Sequence, residues 1–357
     1  MKWAIAETYG LDDVLMALAE GRAVFALTGD GQGRYRLEQA LAWEPNRHTL
    51  GAFRSTEPLK SLFFPQREFL GPLSDDAPVR EQGGERIVFG VKNCDLSALS
   101  IFDHVFLNGG CQDPFYVEAR AKTVLVSSDC TGFLDVCFCP AVGEQPFAQA
   151  GFDINISSTP MGHLLETGSE RGASVLQQAE RYLQPAGPEL LAAVEEQRAA
   201  KHRALVDHAA AHGLKSGLDL REAVEGAFES DLWTRIAADC VECGACNFIC
   251  CTCHCFLLAD GVDADGKPAR TKQWDACLFK NFAVTAGGHN PRALRGERLR
   301  NRFDKKFSYF PQVLGRYACD GCGRCSEACI ANIDIRDVLR RAADEAGTTL
   351  HAHTGDD

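Results

Sequence analysis

Short apolar runs in the first third of the chain predict strands that are buried in a sheet. The runs are bounded by polar or Gly-rich sequence and are too short to be buried helices. A helical pattern separates the last two runs, because large apolar residues recur there at intervals of three or four. The predicted strands are residues 23–27, 87–91 and 123–126, and the helical face is Leu96, Leu99, Phe102 and Phe106.

The order strand, helix, strand predicts a parallel α/β core. Asp95 follows the second strand and is suited to cap the helix, because its carboxylate accepts backbone N–H groups. Cys94 and Cys130 come just after the second and third strands. Both cysteines are therefore predicted at the sheet edge where α/β proteins place their sites.

The sequence before and between the first two strands has fewer regular elements. Residues 12–19 predict a short helix, whereas 28–84 are rich in Gly and Pro and predict irregular chain or short hairpins. The segment Gly29–Gly33 lacks the spacing of a dinucleotide-binding loop. We therefore expect a hairpin turn there.

Composition and charge limit the functional classes. The chain has 357 residues and a formal net charge of −12, and such a surface repels a phosphate backbone, so no nucleic-acid partner is expected. The N-terminal residues lack the basic and apolar segments of a secretory signal, and no apolar stretch is long enough to span a membrane. A cytoplasmic protein without a membrane partner is expected, and its 17 cysteines then indicate metal chemistry.

Two segments repeat the spacing C-x2-C-x2-C-x3-C, which bacterial proteins use to hold [4Fe–4S] clusters on thiolates. The first three cysteines of each run bind one cluster, and the fourth binds the neighbouring cluster. Gly244 and Gly323 suit such loops, since glycine lets the backbone approach closely. This crosswise rule assigns one cluster to Cys240, Cys243, Cys246 and Cys329, and another to Cys319, Cys322, Cys325 and Cys250.

Zinc ribbons and disulfides are the alternatives for these segments. Zinc ribbons use two C-x2-C pairs, not three equally spaced cysteines followed by a fourth. Disulfides are typical of small secreted chains rather than a chain of this length. Two iron–sulfur clusters therefore explain the spacing better than either alternative.

Seven further cysteines are candidate ligands of a third or fourth cluster. Cys94, at a predicted helix start, is expected to have a lowered thiol pKa, which favours ligation. The alternative is that free cysteines are small buried apolar residues, and it is preferred for Cys111 and Cys251. The candidate sets are Cys94, Cys130, Cys137 and Cys139 in the N-terminal domain, and Cys253, Cys255 and Cys277, which need a ligand from elsewhere.

A basic run stands out in this acidic chain. Its simplest interpretation is a solvated helix face. The other interpretations are a docking surface for an acidic partner and charge compensation for anionic clusters. The run consists of Arg292, Arg295, Arg298, Arg300, Arg302, Lys305 and Lys306.

The motifs and the helical patterns divide the chain. Residues 172–212 and 220–232 show helical spacing between the α/β region and the first cysteine run. The predicted organisation is an α/β domain over 1–165, a helical connector over 166–235, a mostly helical, ferredoxin-like dicluster domain over 236–345 and a flexible tail over 346–357. No nucleophile elbow, phosphate-binding loop, zinc-protease helix or dinucleotide fingerprint occurs, so no catalytic residue is predicted.

Several motifs together resemble the β subunit of cytosolic sulfhydrogenases, the iron–sulfur subunit of NAD(P)-linked [NiFe] hydrogenases. The A subunit of anaerobic sulfite reductase is similar over the same region. Cys251 and Ile330 depart from the usual pattern, because proline commonly follows the fourth cysteine of each run, but proline is not a ligand. The matching stretches are K-N-C-D-L-S-A-L (92–99), C-F-C (137–139), the first cysteine run with T-C-x-C (240–255), W-D-A-C (274–277), A-G-G-H-N-x-R (286–292), R-N-R (300–302) and G-C-G-R-C-x3-C (321–329).

The resemblance implies a subunit that relays single electrons. Its partners would be a flavin subunit, which carries FAD and binds NAD(P), and the small and large hydrogenase subunits, which carry the NiFe centre. The first alternative is the electron-input subunit of an anaerobic sulfite or sulfur reductase. The second, from another class, is a stand-alone iron–sulfur binding or redox-sensing protein.

Overall fold

The computed structural model describes residues 2–73, 83–262 and 265–353. The strands are β1 (Lys2–Ile5), β2 (Ala23–Gly29), β3 (Tyr35–Ala40), β4 (His48–Thr49), β5 (Arg67–Pro72), β6 (Arg86–Val91), β7 (Thr123–Ser128), β8 (Ile154–Thr159), β9 (Gly162–Thr167), β10 (Leu183–Pro185), β11 (Phe256–Val262) and β12 (Pro268–Trp274). The α-helices are α1 (Leu11–Ala19), α2 (Asn93–Phe102), α3 (Pro114–Ala121), α4 (Glu170–Leu176), α5 (Pro188–Ala211), α6 (Leu220–Gly226), α7 (Leu232–Ala237), α8 (Ala245–Phe248), α9 (Arg295–Asp304), α10 (Phe310–Leu314), α11 (Arg324–Glu327) and α12 (Ile335–His353).

The chain forms two compact units. The first contains Met1–Phe63 and Gln82–Leu205, and the second contains Phe64–Glu81 and Val206–Asp357. The short segment after Phe63 therefore leaves the first unit and joins the second before the chain returns. Within the described ranges, none of the helices combines the length and the apolar character that a membrane span needs.

The first unit is built on a mixed sheet with the spatial order β10-β1-β9-β8-β7-β6-β2-β3, with β4 beside β2. The four central strands β2, β6, β7 and β8 are parallel. The outer strands pair antiparallel with their neighbours. The predicted α/β class and its parallel centre are therefore confirmed, and the antiparallel edges extend the sheet beyond residue 165, because β9 and β10 pair next to β1.

Several predicted elements of this unit are confirmed. Helix α1, strands β2, β6 and β7, and the helix between the last two all lie where the pattern predicted them. The segment from Gly29 to Gly33 is a turn between β2 and β3, which Asp30 N–H closes by donating to Arg34 O at 3.0 Å. The prediction for Asp95 is wrong. Helix α2 begins two residues earlier, so the Asp95 carboxylate lies in its first turn and accepts from Leu59 N–H at 3.0 Å.

The core of the first unit lies where one face of α1 meets the sheet. Val14, Leu15 and Leu18 of this helix are fully buried. They belong to the same cluster as Ile87 and Val126, which come from the parallel strands. The strands are apolar on both faces because helices and loops cover both, as expected for parallel strands. The ends of β6 and β7 are thereby held in fixed positions.

The second unit combines helices with a small antiparallel sheet. Trp233 of α7 packs against Phe303 of α9 with ring centroids 5.5 Å apart. Strands β11 and β12 form a hairpin, and β5 pairs with the other edge of β12. The sheet was not predicted, because β11 is largely exposed and has no alternating pattern, and its third strand comes from a distant part of the chain. The described residues of the second unit therefore combine helices, this sheet and irregular segments, and a mostly helical dicluster domain stays a prediction.

The predicted domain boundaries stay a prediction. The sheet strands β9 and β10 fall partly or wholly in the predicted connector, and the first unit ends at Leu205, within α5. At the C-terminus, α12 continues to His353. Residues 354–357 of the predicted flexible tail and residues 74–82 of the predicted irregular stretch lie outside the described residues.

Candidate metal centres

The two cysteine runs of the second unit fold into equivalent loops. Gly244 and Gly323 have φ angles of 72° and 69° and directly precede the short helices α8 and α11. Two residues earlier in each loop, Glu242 and Gly321 also have positive φ angles, 60° and 63°. These left-handed positions favour glycine, because a Cβ atom is disfavoured there. The repeated spacing therefore corresponds to a repeated backbone that places the third cysteine of each run in the first turn of a helix.

The structure places all four cysteines of the first predicted set around one cavity, although they come from both runs. Burial raises the pKa of Cys246 to about 11; Arg302 opposes this shift, and the neighbouring Cys240 and Cys329 add to it. The crosswise position of Cys329 is thus a feature of the fold as well as of the spacing. The cysteines that line this cavity are Cys240, Cys243, Cys246 and Cys329, together with Cys325 of the other set.

Arg302 lies in the wall of the same cavity and fits an anionic occupant. Its side chain is buried, and its Nε atom has no hydrogen-bond partner within the described part of the chain. One Nη atom donates to Cys246 O at 3.4 Å. Burying a guanidinium is costly unless an opposite charge is close. A cluster held by four thiolates is anionic, so the residues present suit it.

The second predicted set is also brought together. Burial raises the pKa of Cys319 well above its usual range, the charge of Lys306 opposes the shift, and the nearby Cys325 and Cys250 add to it. The Nζ atom of Lys306 donates to Cys250 Sγ at 3.3 Å. Cys250, from the first run, therefore lies beside cysteines of the second run, and its assignment as a ligand of the second cluster stays a prediction.

Cys251, predicted not to be a ligand, lies close to this second set. Its Sγ atom is 3.8 Å from Cys322 Sγ, and it donates to Asp320 Oδ2 at 3.4 Å. Hydrogen bonds from Cys251 and Cys253 hold the pKa of Cys250 well below its usual range, and Lys306 contributes to the same shift. Cys250 is thus favoured as a thiolate, the form that binds metal.

A further cavity in the second unit is lined by the additional cysteines Cys253, Cys255 and Cys277. Asn247, which is buried, also lines it and donates from Nδ2 to Cys277 Sγ at 3.2 Å and to Cys253 Sγ at 3.7 Å. The sequence analysis did not identify Asn247 as a site residue. The sequence did offer one indication of its role. Asn247 lies inside the first cysteine run, and amide groups that donate to sulfur tune iron–sulfur sites.

The basic run does not form a solvated helix face. Arg298, Arg302 and Lys306 follow one another at intervals of four on α9 and the π-helical turn after it, and all three are buried. Arg295 is exposed and Arg300 is half-buried, so only part of the run faces solvent. The solvated-face interpretation is therefore wrong for the three buried members. Arg302 and Lys306 lie among the cysteines, which favours charge compensation.

None of the 17 cysteines is in a disulfide, so the disulfide alternative for the two cysteine runs is not supported.

The N-terminal cysteines lie in the two segments that follow the central strands β6 and β7. Cys94 is in the first turn of α2, Cys130 follows β7, and Cys137 and Cys139 flank Phe138. Burial raises the pKa of Cys139 well above its usual range, and Cys130 and Cys137 contribute, so these three thiols are neighbours. Cys111, predicted not to be a ligand, is exposed elsewhere in this unit. The lowered pKa expected for Cys94 stays a prediction.

Comparison with known proteins agrees with this geometry. Residues 239–333 match the family model of the 4Fe-4S dicluster domain. The chain is 31% identical over 306 residues to sulfhydrogenase 2 subunit beta of Pyrococcus furiosus, and the alignment covers 85% of this chain and 88% of that relative. The chain belongs to the sulfhydrogenase β subunit family. The alignment with this relative extends well beyond the dicluster region, so it includes the sheet-rich first unit. No solved structure matches this chain.

Proposed function

We propose that this sulfhydrogenase-family chain is an iron–sulfur subunit that transfers single electrons within a multisubunit oxidoreductase. The proposal rests on one observation. Cysteines from both equivalent loops line the same cavity beside Arg302. We assign the first cluster to Cys240, Cys243, Cys246 and Cys329, and the second to Cys319, Cys322, Cys325 and Cys250. A [4Fe–4S] cluster, when bound, supplies a one-electron redox centre.

The protein supplies ligands, positive charge and a hydrogen bond to ligand sulfur. The three-cysteine loops hold their thiols on a backbone whose left-handed positions are set by Gly244 and Gly323. Arg302 and Lys306 place two buried positive charges among the ligands. Ile333 N–H donates to Cys329 Sγ at 3.3 Å, and hydrogen bonds to ligand sulfur stabilise the more negative state of a cluster. These groups favour electron uptake at the sites they surround.

A third site in the second unit extends the proposal. Cys253, Cys255 and Cys277 supply three thiols around one cavity, and His254 lines the same cavity. Asn247 orients two of the three sulfurs through its amide. We propose that this set holds a further cluster, with a fourth ligand other than cysteine.

The proposed partners follow from the family and from the lack of catalytic motifs in this sequence. The relative is named as a sulfhydrogenase subunit, so other subunits carry the remaining chemistry. We propose a flavin subunit that carries FAD and binds NAD(P), and small and large hydrogenase subunits with a NiFe centre. No catalytic motif occurs in this sequence, which agrees with a role limited to electron transfer.

The proposal is tested by purifying the native complex through an affinity tag on this chain, without oxygen. Iron, sulfide, nickel, flavin and sirohaem are then measured per copy of this chain. Nickel and flavin together with iron and sulfide are the expected result. Sirohaem without nickel would overturn the hydrogenase assignment in favour of a sulfite reductase. Iron and sulfide in a chain that purifies alone would instead identify a stand-alone iron–sulfur protein.

A further inference from the structure

The first unit contains four thiols that the dicluster region, residues 239–333, does not include. We propose that Cys94, Cys130, Cys137 and Cys139 bind a separate [4Fe–4S] cluster in the first unit, with Lys92 as its buried counter-charge. The inference goes beyond the electron-transfer proposal, because it depends on none of the cysteines in the second unit. It rests on the hydrogen bonds that hold the start of α2 against the connection between β7 and β8, and on the burial of Lys92 between them.

Hydrogen bonds from Lys92 join the start of α2 to the beginning of the connection between β7 and β8. The Lys92 backbone follows β6 directly and precedes the helical turn that contains Cys94. Its Nζ atom donates to Ser128 Oγ at 2.7 Å and to Asp129 O at 3.2 Å, in the segment that leads to Cys130. The segments that bear Cys94 and Cys130 are therefore joined across the parallel strands β6 and β7, and both thiols lie close to the Lys92 ammonium.

A later part of the same connection, which bears Cys137 and Cys139, is also joined to the start of α2. Asn93 Nδ2 donates to Glu144 Oε2 at 3.0 Å and to Gln145 O at 2.9 Å. Glu144 N–H in turn donates to Cys139 O at 3.0 Å. Ser97, one turn into α2, donates to the other carboxylate oxygen of Glu144 at 2.6 Å. The loop that bears Cys137 and Cys139 is thus bound to the helix that bears Cys94.

The Lys92 ammonium lies close to the Cys130 and Cys94 thiols and to the Asp129 carboxylate, so a negative charge held by the thiols would add to that of Asp129. The Lys92 side chain is 1% exposed, and the acceptors of its ammonium are neutral oxygens: Gly51 O at 2.7 Å, Ser128 Oγ and Asp129 O. The Asp129 carboxylate itself pairs with Arg198 at 2.7 Å. A buried ammonium is costly without a compensating negative charge. A thiolate-ligated cluster supplies that charge at the position of Cys94 and Cys130.

Loading of the proposed site exchanges one set of thiolate ligands for another. Transfer of a preformed cluster breaks four Fe–S bonds to the thiolates of its carrier and forms four Fe–S bonds to these cysteines. The four displaced thiol protons pass to the released carrier thiolates. The transfer needs no oxidant or reductant.

The test compares matched cysteine variants of the full-length chain, reconstituted with iron and sulfide without oxygen. Cys137 is half-buried and is a proposed ligand, whereas Cys111 is an exposed thiol of the same unit. We expect Cys137→Ala to lose about four iron and four sulfide per chain, and Cys111→Ala to lose none. The proposal is overturned if Cys137→Ala retains all its iron, or if the wild-type chain as purified carries one zinc ion that Cys137→Ala lacks while their sulfide contents are equal.

A second measurement needs no substitution and therefore does not depend on the folding of a variant. The wild-type chain is alkylated before and after its iron is removed with a chelator, and each cysteine is followed by mass spectrometry. We expect Cys94 and Cys137, both half-buried, to be protected in the iron-loaded chain and labelled after iron removal. Equal labelling in both states would contradict the proposal. A failure of the dicluster assignment would appear separately, as unchanged iron in Cys322→Ala.

Discussion

At the scale of single residues, the position of Arg302 connects the sequence to electron transfer most directly. Burial lowers the pKa of its guanidinium, but the charges of Cys246, Cys325 and Cys253 outweigh burial and raise this pKa well above its usual range. Arg302 lines both the cavity beside Cys246 and the cavity beside Cys253. A reduced cluster carries one more negative charge than an oxidised one. A fixed buried cation therefore favours the reduced state of the clusters around it.

The first prediction concerns this charge. In Arg302→Gln, at least one reduction potential should become more negative by on the order of 50–100 mV, corresponding to about 1–2 kcal/mol per electron. Redox titration followed by electron paramagnetic resonance measures the shift. Arg300→Gln on the same helix is the control, because Arg300 is half-buried over the Phe228 ring at 4.1 Å and does not line either cavity. Potentials that are equal in both variants would exclude a role for the Arg302 charge.

The second prediction concerns the left-handed glycine of the first loop. At Gly244, φ is 72° and a Cβ atom would stand 2.8 Å from the Phe279 ring. Gly244→Ala should therefore destabilise the second unit by about 1–3 kcal/mol and reduce the iron content. Thermal unfolding and iron analysis measure the two effects. Gly261→Ala is the control, since no atom lies within 4 Å of its Cβ position and its φ is not positive. Full iron and stability in Gly244→Ala would show that the loop tolerates a side chain.

At the scale of elements, the small sheet of the second unit depends on a strand from far away in the sequence. Strand β5 pairs with β12, and the ion pair between Lys272 and Glu68 joins them at 2.6 Å, with side chains only 3% and 8% exposed. A second ion pair on β12, between Arg270 and Asp260 at 2.6 Å, is about half exposed. The same kind of contact therefore occurs in two environments on one strand.

The third prediction compares these two ion pairs. Lys272→Met leaves the Glu68 carboxylate buried without its partner charge and should lower the free energy of unfolding by about 3–5 kcal/mol. Arg270→Met should lower it by about 1 kcal/mol or less, because solvent screens the exposed pair. Urea unfolding followed by circular dichroism measures both. If the two variants were equally stable, burial would not make the ion pair between Lys272 and Glu68 stronger than the exposed ion pair between Arg270 and Asp260.

At the scale of the whole molecule, the chain carries its candidate metal ligands in two separate units. The eight cysteines of the two runs, and the set around Asn247, belong to the second unit, whereas the four thiols near Lys92 belong to the first. No ligand is shared between the units in these assignments. Losses of iron from the two units should therefore be independent, as expected for sites without shared ligands.

The fourth prediction tests electron transfer and this independence together. Cys322→Ala should lose about four iron atoms per chain and should abolish hydrogen-dependent NAD(P) reduction by the complex, while flavin-dependent diaphorase activity remains. The double variant with Cys137→Ala should lose about eight iron atoms. Iron analysis and the two activity assays measure these effects, and Cys111→Ala is the control. Undiminished hydrogen-linked turnover in Cys322→Ala would refute the electron-transfer role.

The sequence by itself determined the features that depend on spacing along the chain. The interval between the cysteines of each run predicted two equivalent loops and the crosswise positions of Cys250 and Cys329, because ligands on one tight loop are local in sequence. The apolar runs likewise determined β6, α2 and β7, since short-range periodicity reflects burial. Cys94 and Cys130 could therefore be placed at neighbouring strand ends before any contact was known.

Only the tertiary structure decided which charges are buried and which distant segments meet. The basic run looks like a solvated helix face, and only packing against the cysteines shows that Arg302 and Lys306 point inward. Strand β5 joins a sheet some 200 residues further along the chain, at Pro268–Trp274, and no local pattern contains that pairing. The physical reason is the same in both cases. Burial of a charge and pairing of remote strands depend on partners that lie far away in the sequence.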